Sequence, residues 1–164
     1  MNYDDATLLH LVYAYAAQFS DDPSTQNAAV LVKNHIPYVA TFAVNSLPQH
    51  IADTPQRWER PHKYAVVEHA ERNAIYQAAR HGIRTKGLTM ICPWAACADC
   101  ARGIIQSGIT RLVIHQKAFL EDARWTDSVH IGHQLLAEAG VAITYYDGDI
   151  GCHPIRRDGT LWQP

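Results

Sequence analysis

Two short segments of the chain carry residues whose types and spacing suit a catalytic metal site. His69 and Glu71 stand two positions apart, and Cys97 and Cys100 stand three positions apart. Two thiolates and one neutral imidazole balance the charge of Zn²⁺, and three protein ligands leave the fourth tetrahedral position open, as in catalytic zinc sites. We therefore predict one Zn²⁺ ion bound by His69, Cys97 and Cys100, with Glu71 beside it as the catalytic acid and base.

The chemistry available to such a site is hydrolysis. Zinc lowers the pKa of a water molecule bound to it to about 7, so that hydroxide is available at neutral pH. Glu71 would take a proton from that water and deliver it to a ring nitrogen beside the attacked carbon. It would then carry a second proton to the departing amine. These steps release ammonia from an amino-substituted aromatic ring, and we expect a hydrolytic deaminase.

Each of these residues also has an ordinary structural interpretation. Cys97 and Cys100 alone could be buried thiols or a redox pair. His69 alone could be a packing histidine, and Glu71 alone a solvated helix residue. We prefer the zinc site because all four stand at predicted helix starts, which makes a chance combination improbable.

The remaining cysteines give weaker indications. Cys92 is the nearest rival ligand, but its place at a predicted strand end, five residues before Cys97, fits a core thiol better. Cys152 with His153 could bind a second metal, which is the less favoured alternative. Three of the four cysteines fall within nine residues. Because we expect no export signal, that clustering favours metal binding over disulfides.

Helical and strand periodicity surrounds these segments and predicts how they are positioned. The pattern predicts helices at 4–19, 69–81, 97–107 and 128–139, and strands at 28–32, 38–44, 88–92, 111–115 and 141–146. The first two strands have the pattern of a β-hairpin. The second half alternates strand and helix, which implies parallel strands joined by helical crossovers. We therefore expect an α/β fold with three layers, α/β/α, around a mixed sheet of about five strands.

Length and composition predict one domain, residues 1–164, with a core at about 5–146 and a C-terminal tail at 147–164. The polar, proline-rich stretch 45–63 is long for a loop in a small domain, which favours a function for it. A net charge of -2 gives no indication of binding to polymeric nucleic acid. Acidic residues occupy the N-terminus where a secretion signal has basic ones, and no apolar run approaches the roughly 18 residues of a membrane span. We therefore expect a cytoplasmic protein without a membrane partner.

Four stretches of the sequence resemble one enzyme family. His-x-Glu followed by Pro-Cys-x-x-Cys is the signature of the zinc-dependent nucleobase deaminases, and this chain has it apart from the proline. Within that superfamily the chain is most similar to the deoxycytidylate (dCMP) deaminases, through residues 19–26, 45–48, 69–75 and 97–109. This resemblance covers about residues 5–146. It implies the three-layer cytidine-deaminase-like fold, a small nucleotide substrate, hydrolysis of dCMP to dUMP and ammonia, and a homo-oligomer.

The resemblance also assigns roles to individual residues. It implies the same three zinc ligands and the same acid–base glutamate. Asn45 would reach the sugar or base of the nucleotide. Asn73 would help to place the substrate, since an amide side chain both donates and accepts hydrogen bonds. The alternative for Asn73 is a polar residue on the helix surface.

The chain departs from the family pattern at positions that bear on the substrate. The family commonly has proline before its first cysteine, whereas Ala96 stands there in this chain and Pro93 lies three positions earlier. This change predicts a reshaped loop in which Trp94 would border the pocket and stack on a base. A core position for Trp94 is the alternative. A deoxynucleotide phosphate needs cations, and the candidates in the 45–63 stretch are Arg57, Arg60 and Lys63.

Three other functions stay open. The first is deamination of another small amino-heterocycle, such as a free base, a nucleoside or a modified nucleotide. The second is a tRNA adenosine deaminase, which the Asn-Ala after His-Ala-Glu and the near-neutral charge make less favoured. The third is a non-catalytic zinc module, which would need a closed set of four ligands, whereas the sequence offers three ligands and a free acid.

Overall fold

The helices and strands follow the order expected of an α/β protein. The computed structural model describes residues 2–120 and 126–164. Its helices are α1 (Asp5–Phe19), α2 (Lys63–Val66), α3 (Ala70–Arg80), α4 (Ala98–Gln106), α5 (Gln116–Leu120) and α6 (Thr126–Glu138). Its strands are β1 (Ala28–Lys33), β2 (Ile36–Pro37), β3 (Ala43–Val44), β4 (Thr89–Ile91), β5 (Arg111–His115), β6 (Ala142–Tyr146), β7 (Ile155–Arg157) and β8 (Thr160–Trp162). No helix in these two ranges combines the length and hydrophobicity that a bilayer crossing requires.

One mixed sheet organises these elements. The strand order is β2-β1-β4-β5-β6, and β3 joins by pairing with β1. Strand β1 runs antiparallel to β2, β3 and β4, whereas β4–β5 and β5–β6 are parallel pairs. The predicted α/β class, the mixed sheet and the parallel strands of the second half are therefore confirmed.

Alternate side chains of the strands pack on opposite faces of the sheet. Met90 and Leu112 belong to the core beneath α3, α4 and α6. Their neighbours Ile91 and Val113 belong to the core beneath α1. Successive side chains of a strand point to opposite faces, so adjacent residues serve different layers. All four are fully buried, and each stabilises the fold by about 1.5–3 kcal/mol relative to an exposed position.

The sheet differs from the predicted one at its second strand. In place of the expected strand at 38–44, the structure has a 3₁₀ turn at Val39–Thr41, with β2 just before this range and the short β3 at its end. The sheet thus has six strands rather than about five. The Thr41 hydroxyl accepts a hydrogen bond from the Leu31 backbone N–H at 3.0 Å. A side chain therefore satisfies a β1 donor that a continuous strand would have paired.

The C-terminal tail contains a hairpin that the periodicity did not predict. Strands β7 and β8 pair antiparallel around Asp158 and Gly159, whose φ angles are 54° and 80°. Two positive φ angles define a type I′ hairpin turn, for which Asp-Gly is a favoured pair. That dipeptide was the available sequence signal. Ile155 of β7 is fully buried in a cluster with Tyr13 and Trp94, so the tail is packed against the body of the protein.

Candidate active site

The three predicted ligand atoms converge in space. Nδ1 of His69 lies 3.7 Å from Sγ of Cys97 and 3.5 Å from Sγ of Cys100. Tetrahedral zinc, with bonds of about 2.3 Å to sulfur and about 2.0–2.1 Å to nitrogen, holds such atoms about 3.6 Å apart. The donor set and its spacing therefore fit one zinc ion. Among the described residues, these side chains form the one group of three or more histidine, cysteine or acidic residues that could hold a metal.

The starts of α3 and α4 bring these ligands together. His69 is the N-cap of α3 and Cys97 is the N-cap of α4, and both have extended backbone, with ψ of 150° and 170°. Cys100 follows in the first turn of α4, where a spacing of three residues puts it on the same face as Cys97. The positive end of a helix dipole stabilises nearby thiolates. The prediction that the ligands open two helices is confirmed.

The two sulfur atoms differ in how readily they carry charge. A hydrogen bond with Cys100 lowers the pKa of Cys97 to about 4, and His69 contributes to this shift. The same bond, together with burial, raises the pKa of Cys100 well above its ordinary value. Burial lowers the pKa of His69, but the hydrogen bond to Cys97 and the charge of Glu71 outweigh it, and the net pKa is raised. The site therefore favours a thiolate at Cys97.

Glu71 lies in the first turn of α3 and is only 2% exposed. Its Oε2 atom has no hydrogen-bond partner among the described residues. Burial raises the pKa of its carboxyl group above the ordinary value, and the charge of His69 partly opposes this. A buried polar atom without a partner is costly and commonly marks a reacting or ligand-binding group. The position suits the predicted acid and base, whose catalytic role stays a prediction.

Asn45 and Asn73 fasten α3 to the segment around β3. The Ala70 N–H donates to Oδ1 of Asn45 at 3.0 Å, and Nδ2 of Asn45 donates to the Thr25 carbonyl at 3.1 Å. Nδ2 of Asn73 donates to the Val44 carbonyl at 2.9 Å and also contacts the Ser46 hydroxyl. Both amides therefore hold the start of α3 in place. The substrate contacts expected of them stay predictions.

Trp94 lies in a group of two tilted indole rings and one guanidinium that we call the tail cluster, made of Trp94, Arg157 and Trp162. The guanidinium carbon of Arg157 lies 4.8 Å from the Trp94 ring centroid and 5.3 Å from that of Trp162. The two indole centroids are 5.8 Å apart, and Trp94 is only 8% exposed. These contacts match the core alternative for Trp94. They leave little ring surface for a base, and the stacking role stays a prediction.

Two of the three cations suggested for a phosphate are held in ion pairs. Nζ of Lys63 lies 2.6 Å from Oδ1 of Asp22, and both side chains are nearly buried, at 9% and 1% exposed. Arg60 pairs with Asp158 at 3.2 Å and donates to the Ser24 hydroxyl at 3.1 Å. The 45–63 stretch is thus anchored to neighbouring segments by these cations. For Arg57, a phosphate contact stays a prediction.

Cys92 and Cys152 lie outside the zinc site. Cys92 is fully buried and accepts a hydrogen bond from Nδ2 of Asn27 at 3.4 Å. Burial raises the pKa of its thiol well above the ordinary value, which suits an inert core cysteine. Cys152 is buried beside the tail cluster. The alternative of a second metal at Cys152 and His153 has no support among the described residues. The group of side chains found there that could hold a metal is His69, Cys97 and Cys100.

Arg72 is a residue of the site that the sequence interpretation missed. Its guanidinium donates to Sγ of Cys100 at 3.6 Å and forms an ion pair with Glu68, one helical turn earlier. Burial lowers the pKa of Arg72, but the charges of Cys100 and Glu68 outweigh this effect and raise it. A fixed positive charge beside Cys100 stabilises its thiolate form. The four-residue spacing of Glu68 and Arg72 was the available signal.

The chain matches the family model described as the cytidine and deoxycytidylate deaminase zinc-binding region over residues 2–116. That range contains the three converging ligands, the buried glutamate and both asparagines. It ends before α6 and the C-terminal tail. The matched region and the metal geometry therefore coincide.

Individual relatives give the same picture. The protein described as an uncharacterized deaminase in the luxG 3′ region of Aliivibrio fischeri is 31% identical over 132 residues, which are 80% of this chain and 86% of that protein. Deoxycytidylate deaminase of Homo sapiens is 33% identical over 104 residues, covering 60% of this chain and 57% of that protein. The dCMP deaminase of cyanophage S-TIM5, solved with dCMP and dUMP, superimposes with a TM-score of 0.66 at 22% identity, over 85% of this chain and 94% of that one. This last comparison shows a common fold.

Proposed function

The chain belongs to the cytidine and deoxycytidylate deaminase family, and on that premise we propose that it hydrolyses dCMP to dUMP and ammonia. One observation is the main support for the proposed hydrolytic chemistry. A histidine nitrogen and two cysteine sulfurs meet at zinc-binding spacing, directly beside a buried glutamate that has an unpaired oxygen among the described residues. A purely structural zinc site would close its fourth position with another protein ligand.

His69, Cys97 and Cys100 would hold the metal, with the helix ends and Arg72 stabilising the thiolate charges. Zinc held there supplies Lewis-acid chemistry that makes hydroxide available from water near neutral pH. The protein contributes the ligand geometry, the burial that excludes bulk solvent, and the group that moves protons.

Glu71 is the proton carrier of this proposal. Its Oε2 atom, for which the described residues offer no hydrogen-bond partner, accepts a proton from the attacking water. It delivers this proton to the ring nitrogen beside the attacked carbon. The carboxylate then takes the proton of the new hydroxyl group and passes it to the amine, which leaves as ammonia. Burial, which raises the Glu71 pKa, stabilises the protonated form between the two transfers.

The choice of dCMP is supported by the deoxycytidylate deaminases among the relatives. A specific observation favours a second candidate, a phosphate-free amino-heterocycle. Lys63 and Arg60, the cations expected to bind a phosphate, are held by Asp22 and Asp158. An enzyme for a nucleoside or free base needs no such cation.

Substitution of the proposed proton carrier tests the reaction. Glu71→Gln keeps the shape of the side chain but cannot carry protons as a carboxylate does. We expect zinc content near one per chain and ammonia release reduced by at least about a hundredfold. The control is Glu138→Gln, which changes an exposed carboxylate on α6. Full activity in Glu71→Gln would show that another group moves the protons.

A substrate panel tests the choice of dCMP. Ammonia release is measured at equal concentrations of dCMP, CMP, deoxycytidine, cytosine and guanine. The proposal expects the highest kcat/KM for dCMP, because the phosphate adds binding energy. Equal or faster turnover of the phosphate-free compounds would replace dCMP with the second candidate.

Three broader expectations stay predictions. They are a homo-oligomer, a cytoplasmic location and a single domain at 1–164. Light scattering of the purified protein would measure the number of chains in the particle. A monomeric mass with full activity would contradict the expected homo-oligomer.

A further inference from the structure

Helix α6 approaches the backbone around Cys97 more closely than any side chain would allow. A Cβ atom on Gly132 would lie 2.5 Å from the Ala96 carbonyl oxygen, and 3.1 and 3.2 Å from the carbonyl carbon and oxygen of Cys97. These neighbours are backbone atoms, which cannot rotate away as a side chain does. Any residue larger than glycine would therefore push the Cys97 segment away from α6.

Helix α6 also contacts the backbone that follows Cys97. The Ser128 hydroxyl accepts a hydrogen bond from the Ala98 N–H at 3.2 Å. Ser128 and Gly132 are four residues apart, so they lie on one face of α6. That face thus contacts the backbone immediately before and immediately after Cys97.

Cys97 needs such support because of its two tasks. It is the N-cap of α4, but its side chain makes no capping hydrogen bond, and its sulfur lies beside His69 instead. The first N–H groups of a helix need partners from outside the helix. Ser128 supplies one to Ala98, so that the cysteine sulfur is available to the metal.

We propose that Ser128 and Gly132 are positioning residues for Cys97, acting through its backbone to set the place of its sulfur relative to His69 and Cys100. The inference rests on the proposed zinc role of Cys97. Neither residue belongs to the group that could hold the metal. Their effect is therefore on zinc retention and on the geometry of the site.

Ser128→Ala is the mild test, with the zinc-loaded protein as starting material. We expect about tenfold weaker zinc retention in competition with a chromogenic chelator. Ser128→Thr keeps the hydroxyl group and restores retention. The control is Ser107→Ala, which removes a hydroxyl that donates to the Ile104 carbonyl at the far end of α4. It should retain zinc as the wild type does.

Unfolding temperatures show whether Ser128 positions the zinc site or only stabilises the fold. Zinc that binds only the folded chain raises the unfolding temperature, and the rise grows with zinc affinity. We expect the difference between zinc-loaded and zinc-depleted protein to shrink in Ser128→Ala. An equal loss of stability in both forms, with zinc retention at the wild-type level, would overturn the inference.

Gly132→Ala is the stronger test, with an expected loss of zinc retention of about a hundredfold. Its control is Gly103→Ala in α4, where the added Cβ would meet the Ile75 and Arg72 side chains at 3.5 and 3.6 Å, ordinary contact distances. Wild-type retention in a folded Gly132→Ala would overturn the inference. If Gly132→Ala does not fold, the comparison of Ser128→Ala with Ser128→Thr tests the inference. A wild-type chain that retains no zinc would instead overturn the proposed function itself.

Discussion

The two helices that carry the proposed metal ligands are held in place by different kinds of contact. The start of α3 is fastened by amide hydrogen bonds from Asn45 and Asn73 to backbone groups. The loop that leads into α4 is held through Trp94, whose ring packs against Arg157 and Trp162 of the tail. Hydrogen bonds fix direction and distance, whereas ring and cation contacts tolerate small displacements.

The contacts of α3 and those of the tail cluster serve different purposes. The α3 side places both a ligand, His69, and the proposed proton carrier, Glu71, so errors there would affect the reaction directly. In the tail cluster, Arg157 and Trp162 instead pack on Trp94, in the loop before α4. We therefore expect substitutions on the α3 side to lower turnover, and substitutions in the tail cluster to lower mainly stability.

The largest expected effect is removal of a ligand from either helix. His69→Ala and Cys97→Ala should each leave the protein with little zinc and no measurable deaminase activity, because two ligands hold zinc poorly. The measurements are metal content by atomic emission and ammonia release. Cys92→Ala is the matched control, since this buried thiol lies outside the ligand group. Zinc loss from only one of the two variants would show that the helices do not contribute equally.

The next largest effect is expected at Asn45. Asn45→Ala leaves the fully buried Ala70 N–H without its partner, at a cost of about 1–3 kcal/mol. It also removes the hydrogen bond to the part-buried Thr25 carbonyl. Urea unfolding measures this loss, and kcat should fall with it because the start of α3 shifts. Asn73→Ala is the comparison variant, with a smaller expected loss of about 1 kcal/mol, since Asn73 is less buried. Unchanged kcat in a destabilised Asn45→Ala would remove the proposed link between this amide and turnover.

A smaller effect is expected in the tail cluster. Arg157→Ala removes the cation that contacts both indole rings, and we expect a loss of about 1 kcal/mol in unfolding free energy. The kcat should change less than in Asn45→Ala. Arg156→Ala, at an exposed position of the same strand, is the control and should have wild-type stability. A large fall in kcat for Arg157→Ala would show that the tail acts on the reaction as strongly as the α3 side.

The smallest expected effect concerns pH and His115, which lies beneath the tail. The Gly148 carbonyl can only accept, so Nε2 of His115 carries the proton and Nδ1 accepts from the Tyr13 hydroxyl at 2.8 Å. Burial lowers the pKa of this histidine. The unfolded chain therefore binds a proton more readily as pH falls below about 6.5, and stability decreases in that direction.

His115→Gln tests this sign. Unfolding free energies of the wild type and the variant are compared at about pH 7.5 and about pH 5.5. The wild type should lose more stability than the variant over this interval, because the variant lacks the titrating ring. The other titrating groups are the same in both proteins, so their contributions cancel in the difference. Equal losses of stability would mean that His115 does not contribute to the pH dependence.

The predicted fold was most accurate where each helix or strand has a clear apolar repeat of its own. The parallel strands and helices of the second half follow from alternating apolar patterns, and they are confirmed within the described residues. The expected strand at 38–44 was wrong over residues 38–42, because the Thr41 hydroxyl turns inwards to accept a hydrogen bond from the Leu31 N–H of β1, ten residues away. The tail hairpin was missed although Asp158-Gly159 signals a tight turn. Periodicity over a few residues does not report such contacts.

The amino-acid sequence alone identified the proposed ligand set and predicted its position at two helix starts, because residue type and spacing along one helical turn are local properties. The tertiary structure decided which side chains surround that set. Asn45 bonds to Ala70, Lys63 pairs with Asp22, and Gly132 lies against Ala96. These partners are far apart in the chain, and only the packing of the layers brings them within hydrogen-bond or contact distance.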